Sequence, residues 1–235
     1  MSYEFESRIR YSEVGRDRKL TLESMVDYFQ DCTTFHSEAC GYGIDFLERQ
    51  GHAWMLLSWQ IDISEYPALG DRIRIWTSPY EFQGFYGYRN FALIDEAGRY
   101  LAKANSVWVF MNVRTGRPDR ILPEHMERYG QSPKLEMDYL PRKIRIPSGG
   151  EKKEPFQIHR YQIDTNNHVN NGQYIRMAEE YLPEGAVVSR LRVEYKKQAY
   201  LNDTVMPVVL NLDHETMVSL CDTDGSPYAA IIFIR

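Results

Sequence analysis

The chain has 235 residues, of which 43% are apolar and 13% aromatic, and it carries a formal net charge of −5. That length suits one large domain or two of about 110 residues each. An acidic balance lacks the basic excess of a nucleic-acid binder, and the three cysteines, Cys32, Cys40 and Cys221, are odd in number and lack metal-ligand spacing.

In chain order, Phe5–Arg10 alternates as a short strand. Thr21 is a plausible helix cap, and Leu22, Met25, Val26, Tyr28 and Phe29 follow at helical spacing up to about Cys32. A short helix is expected from Ile44 to Gln50. Strands are expected at Trp54–Ile63, Asp71–Tyr80, Gly84–Asp95 and Tyr100–Asn112, with a hairpin turn at Glu96-Ala97-Gly98. Residues 115–153 are punctuated by Gly116, Pro118, Pro123, Pro133, Pro141, Pro147, Gly149 and Gly150, which predicts an irregular linker with some helix near Pro123–Tyr129. Beyond it, Phe156–Ile163 reads as a strand and Asn171 to about Leu182 as a helix. Ser189–Lys197, Thr204–Leu212, Met217–Asp222 and Tyr228–Ile234 read as strands, with a turn at Asp222-Thr223-Asp224-Gly225.

The halves align on each other. Arg10-Tyr11 matches Arg160-Tyr161, Leu69-Gly70-Asp71 matches Leu201-Asn202-Asp203, and Asp95-Glu96-Ala97-Gly98 matches Asp222-Thr223-Asp224-Gly225. The shared order of these matches predicts two copies of one unit: a strand, a long helix, then an antiparallel sheet around it. The fold class is therefore α+β, with an N-terminal unit at 1–114, a linker at 115–153 and a C-terminal unit at 154–235. The charged start, MSYEFESRIRYSE, is unlike a signal peptide, and no run of about 18 apolar residues exists to cross a membrane. A cytoplasmic protein without membrane or nucleic-acid partners is expected, as a monomer or a homodimer.

The segment Asp164-Thr165-Asn166-Asn167-His168-Val169-Asn170-Asn171-Gly172-Gln173-Tyr174 stands between a strand and a helix. Turn geometry and capping account equally well for Asn170 and Asn171. A histidine among them points to chemistry. Backbone N–H groups at a helix N-terminus would polarise a thioester carbonyl, Asp164 would activate water or attack, and Asn166 and His168 would donate hydrogen bonds. At an offset of 150, Asp164, Asn166 and His168 fall on Val14, Arg16 and Arg18, so the first copy lacks the cluster.

The run Asp164-x-Asn166-x-His168-Val-Asn-Asn-x-x-Tyr174 resembles the active-site signature of the acyl-ACP thioesterases of plants and bacteria, and Pro67-x-x-Gly70-Asp71 after Trp54–Ile63 is also similar to that family. The resemblance covers nearly the whole chain. It implies two tandem hotdog units, hydrolysis of fatty acyl-ACP to free acid and holo-carrier protein, an acyl tunnel shaped mainly by the first unit, and Asp164, Asn166 and His168 as catalytic residues. Where the family places a glutamate after the next strand, alignment through Tyr195-Lys196-Lys197 gives Gln198, which can orient water but cannot take its proton.

Met25, Tyr28, Phe29, Trp54, Met55, Trp59 and Trp108 are either ordinary core or acyl-pocket lining. Arg190, Arg192, Lys196 and Lys197, with Arg142, Lys143 and Arg145, would meet an acidic carrier protein. No phosphate-cradling loop, dinucleotide fingerprint or third ligand beside His159 and His168 is present, so neither cofactor nor metal is expected. An acyl-CoA thioesterase on the same scaffold and a non-catalytic acyl-thioester-binding protein are the alternatives.

Overall fold

Helix formation in the first half follows from one apolar stripe. Leu22, Met25, Val26, Phe29 and Cys32 are buried along one face of α1 (Leu22–Ala39), and His36 extends that face one turn further. Thr21 caps the helix, its side chain accepting the Ser24 N–H at 3.2 Å. The helix runs to Ala39, nearly two turns beyond the sequence reading. Thr33, Thr34 and His36 are weak helix formers, and burial of His36 against the sheet overrides that preference. Full burial of a side chain such as Phe29 contributes about 1.5–3 kcal/mol.

The computed structural model describes residues 1–146 and 148–235; the linker residue Pro147 lies outside the described residues. The described chain divides into two units, Met1–Leu57 with Ile61–Leu140, and Ser58–Gln60 with Pro141–Arg235. The segment 115–153 is thereby split, since everything before Pro141 belongs with the first unit.

In the first unit, β1 (Tyr3–Arg8), α1, α2 (Ile44–Gln50), β2 (His52–Ile63, apart from Ser58–Gln60), β3 (Arg72–Gln83), β4 (Tyr86–Asp95) and β5 (Tyr100–Asn112) follow in turn. The strands order as β1-β3-β4-β5-β2. Helix α1 packs on β1 and β3. The short β6 (Arg117–Pro118) pairs with β5, and α3 (Pro123–Tyr129) starts on proline, whose missing N–H costs nothing at that position. Under α2 and α3 lies a satellite core of Tyr42, Leu47, Phe110, Ile121 and Tyr129.

The second unit contains β7 (Glu151–Lys152), β8 (Phe156–Gln157), a 3₁₀ turn at Arg160–Gln162, α4 (Asn171–Glu179), β9 (Arg190–Tyr195), β10 (Thr204–Asn211), β11 (Glu215–Cys221) and β12 (Pro227–Ile234). Its sheet runs β9-β12-β11-β10, with β8 and β7 paired to successive stretches of the outer edge of β10. Helix α4 packs on β11 and β12. Written from its first strand, this is β8-β10-β11-β12-β9, the same order as β1-β3-β4-β5-β2. The repeat extends to detail: β4 and β11 both carry an irregularity just before the hairpin, at Leu93/Ile94 and Leu220/Cys221.

Two expectations need correction. Phe156–Ile163 is not one strand, because after Gln157 the chain bonds only through Ile158 to Asn202 and Asp203, just before β10, and then turns into the 3₁₀ segment. The Gln162 side chain fixes that turn by accepting the His159 N–H at 2.7 Å, as Glu13 accepts the Arg10 N–H at 2.8 Å in the first unit. The second correction is the repeat offset at this end of the units, which is 149 and not 150. The bridges Val14–Leu20 and Ile163–Val169, and the left-handed residues Arg18 and Asn167, are each separated by that amount.

Candidate active site

The strand-to-helix junction of each unit is one backbone frame. In the first, the Gly15 N–H donates to the Lys19 carbonyl at 2.9 Å and the Arg18 N–H to the Gly15 carbonyl at 3.0 Å. In the second, the Asp164 N–H donates to the His168 carbonyl at 2.8 Å and the Asn167 N–H to the Asp164 carbonyl at 3.1 Å. Arg18 and Asn167 have φ of 62° and 60°, a region that asparagine tolerates better than arginine, so Asn167 is explained by the turn. The first-unit counterparts of Asp164, Asn166 and His168 are therefore Gly15, Asp17 and Lys19, in place of Val14, Arg16 and Arg18.

Asp164 is half-buried, and its Oδ1 accepts the Asn166 N–H at 2.8 Å and the His168 N–H at 3.4 Å. One carboxylate oxygen thus closes the turn. The first unit closes its copy of the loop from another position: Gly15 stands at the Asp164 place, and Asp17 Oδ1 accepts the Lys19 N–H at 3.0 Å. Asn166 is exposed and His168 half-buried. Asn170 caps α4, its Oδ1 accepting the Gly172 N–H at 2.8 Å, while the Gln173 N–H goes to the Asn170 carbonyl at 3.0 Å. The Gly172 and Gln173 amides at the start of α4 are thus engaged within the junction, as are the Asn166 and His168 amides on Asp164.

The loop between β9 and β10 is tied to this junction twice. The Val169 N–H donates to the Ala199 carbonyl at 3.0 Å, and the Ala199 N–H donates to the Tyr174 hydroxyl at 2.9 Å. Tyr174, the last residue of the motif, is buried, and desolvation holds its hydroxyl protonated well above the ordinary tyrosine range. Its place in the motif is thus that of a loop anchor. Gln198 and Tyr200 flank Ala199. The Tyr200 hydroxyl donates to Gln198 Oε1 at 3.2 Å, and its ring meets the His168 ring edge-on with centroids 5.0 Å apart. Tyr200, which the sequence reading missed, thereby meets both His168 and Gln198. The signal for it was alternation, since residues two apart in extended chain share a face.

The other candidates separate. Met25, Tyr28, Phe29 and Trp59 are buried core; Trp54 packs against Phe82, Phe110 and Tyr129, and Trp108 donates to Ser106 at 2.7 Å. The basic patch is partly neutralised. Lys196 pairs with Glu194 at 2.8 Å, Arg142 approaches the same carboxylate at 3.8 Å, Lys197 pairs with Asp222, and Arg192 donates to the Pro141 carbonyl at 2.6 Å. Lys143 and Arg145 remain exposed. His52 is held by Asp119 at 3.0 Å, Glu180 is exposed, and all three cysteines are free thiols. Among the described residues there is no metal-competent group of three or more His, Cys, Asp or Glu, and no helix long and apolar enough to cross a membrane.

His36 lies toward the end of the buried face of α1. It is buried, with Nδ1 at 2.8 Å from Arg89 Nη1, between the rings of Tyr3 and Tyr129. Burial first, then the Arg89 charge and the terminal amino group, push its pKa down to about 3, so it is neutral. Desolvation likewise lowers Arg89 to about 10.

Family comparison agrees with this layout. The model of the acyl-ACP thioesterase N-terminal domain matches residues 1–129, and that of the C-terminal domain matches residues 147–222. The chloroplastic acyl-[acyl-carrier-protein] hydrolase FATB3 of Cuphea viscosissima is 28% identical over 231 residues, covering 91% of this chain and 55% of its own length. The chloroplastic oleoyl-acyl carrier protein thioesterase 1 of Arabidopsis thaliana is 26% identical, covering 87% of this chain and 62% of its own length. The chain therefore spans between half and two thirds of these relatives. The crystal structure of an acyl-ACP thioesterase from Bacteroides thetaiotaomicron superposes with a TM-score of 0.92 at 21% identity, covering 99% of this chain and 97% of that one. The 12:0-ACP thioesterase from Umbellularia californica gives 0.85 at 20%, covering 99% and 96%. The fold is thus the tandem hotdog of these structures, and the chain belongs to the acyl-ACP thioesterase family.

Proposed function

We propose that the chain hydrolyses fatty acyl-ACP thioesters to free fatty acid and holo-carrier protein, with Asp164, Asn166 and His168 as catalytic residues and Gln198 beside them. The observation that carries the reading is the contrast between the two junctions. One backbone frame is built twice; at the three positions the first copy carries Gly15, the turn-closing Asp17 and Lys19, and the second carries a carboxylate, a carboxamide and an imidazole at Asp164, Asn166 and His168. Membership of the family supports the same assignment.

Asp164 Oδ1 is committed to two N–H bonds, which leaves Oδ2 to take a proton from water. The water oxygen bonds to the thioester carbonyl carbon. Asn166 and His168 side chains donate to the carbonyl oxygen as it becomes an oxyanion. The carbon–sulfur bond then breaks, and the proton on Asp164 passes to the departing sulfur, giving the carrier thiol and the acid. The three free cysteines suit a reducing compartment such as the cytosol.

Gln198 favours a second reading, a protein that binds acyl thioesters without cleaving them, because the resemblance led to a glutamate there. Mass spectrometry of one acyl chain presented on carrier protein and on CoA decides between the readings. Faster free-acid release from the carrier-protein form is expected. Faster release from CoA points to an acyl-CoA thioesterase, and tight binding of either without acid release overturns the hydrolase reading. Raising ionic strength should raise KM for acyl-ACP more than for a neutral acyl thioester; an equal effect removes the basic residues from carrier recognition.

A further inference from the structure

Gln198 and Tyr200 sit on a loop that is held rigidly from three directions. Ala199, between them, is fully buried and is bonded through its carbonyl to Val169 and through its N–H to Tyr174. The Tyr200 N–H donates to Asp203 Oδ2 at 2.8 Å, and the Asp203 N–H returns to the Tyr200 carbonyl at 3.1 Å. With Ala199 turned inward, Gln198 and Tyr200 share the other face. Tyr200 is 49% exposed, yet its hydroxyl is bonded to Gln198 Oε1 and its ring edge is against His168. It is the side chain that touches both.

A carboxamide has one acceptor end and one donor end, and a partner at either end decides what the other can do. A tyrosine hydroxyl donating to Oε1 uses the acceptor end. The end that remains is the NH₂ group, which can donate to a carbonyl oxygen or oxyanion and cannot take a proton. The first unit offers nothing equivalent: the counterparts of Gln198, Ala199 and Tyr200 are Tyr66, Pro67 and Ala68, and the counterpart of Tyr174 is Met25.

We infer that Tyr200 is a positioning residue that locks the Gln198 carboxamide with its NH₂ end toward the reacting thioester, making Gln198 a third oxyanion donor beside Asn166 and His168. The inference rests on the hydrolase reading and assigns to that site a group of opposite polarity to a general base. Proton removal from water then falls to Asp164 alone.

The test is acyl-ACP hydrolysis by the full chain and three variants. Gln198→Glu should lower kcat about a hundredfold at neutral pH, because a carboxylate would face the oxyanion, and activity should recover as pH falls toward the ordinary glutamate range near about 4.3. Tyr200→Phe keeps the ring on His168 and removes the hydroxyl; kcat should fall about tenfold with KM little changed. In a Gln198→Ala background the same change should have no further effect. A Gln198→Glu protein that is faster than wild type would make position 198 a site for a base and overturn the inference. Equal kcat for wild type and Tyr200→Phe, or the same loss with and without Gln198, would also overturn it and leave the hydrolase reading standing. A wild-type protein that releases no acid removes both.

Discussion

The two strand-to-helix junctions, residues 13–22 and 162–171, share a 3₁₀ turn closed by a side chain three residues on, a bridge, a left-handed residue and a capped helix. They differ in what hangs on that frame. The first bears Gly15, Asp17 and Lys19, and the second bears Asp164, Asn166 and His168. The frame therefore folds without a carboxylate at the first of these positions, a carboxamide at the second or an imidazole at the third, although a carboxylate, Asp17, still accepts the Lys19 N–H in the first unit. The second junction also has a clamp that the first lacks. Leu20 donates to the Pro67 carbonyl as Val169 does to Ala199, but proline has no N–H to send back, and Met25 has no hydroxyl to receive one. A repeat can keep its frame and add, in one copy, the bonds that hold a neighbouring loop in place.

The largest break in the comparison should come from removing the imidazole and its counterpart separately. His168→Ala is expected to lower kcat about a hundredfold, whereas Lys19→Ala should leave turnover unchanged. Steady-state assays of the two variants side by side check this; equal effects would mean that the junctions are not functionally distinct.

The next effect belongs to the first unit, which buries His36 beside Arg89 where the second unit has Thr216 at the Arg89 position. The folded pKa of His36, about 3, lies below its unfolded value of 6.5. The unfolded chain therefore binds a proton that the native chain refuses as pH drops below about 6.5. Stability contributed by neutral His36 is complete above that pH and is lost as pH falls toward about 3, with a slope near 1.4 kcal/mol per pH unit. The facing charges, Arg89 and the terminal amino group, oppose its protonation. Urea melts from pH 7 to 5 should show His36→Gln losing less stability than wild type. Parallel losses would show that His36 does not carry this sensitivity.

A smaller effect sharpens the clamp. Tyr174→Phe leaves the buried Ala199 N–H without its acceptor and should cost about 1–2 kcal/mol, read as a lower melting temperature, together with reduced turnover. Met25→Leu at the matching position should be near neutral, as volume-conserving swaps usually are. Unchanged melting and turnover in Tyr174→Phe would remove the clamp from the account.

Much of this was legible in the residues. The hairpin at Asp222–Gly225, the helix at Ile44–Gln50 and the strand at Tyr100–Asn112 carry local signals that tertiary packing did not override. The polar cluster at 164–168 stood out because a histidine among turn-forming residues has no turn function. The misses share a cause, which is that their determinants are not local. Phe156 and Ile158 imitate strand alternation, but a side chain at Gln162 bends the backbone. The Arg-Tyr pairs at 10–11 and 160–161 match in type and not in place, which shifted the repeat by one residue. Lys196 and Lys197 read as a free basic patch until Glu194 and Asp222 came beside them. Tyr200 was invisible because its partners, His168 and Gln198, meet it only through the clamp on Ala199.

The most direct test is single-turnover release of fatty acid from acyl-ACP by wild type and by Asp164→Asn. Asparagine can keep both N–H bonds that Oδ1 now accepts, so the junction should stay folded with an unchanged melting temperature. Wild type should release free acid, and the variant should do so at least about a hundredfold more slowly, because the proton acceptor is gone while the frame remains. Release by Asp164→Asn at the wild-type rate would contradict the claim that the second junction carries the chemistry.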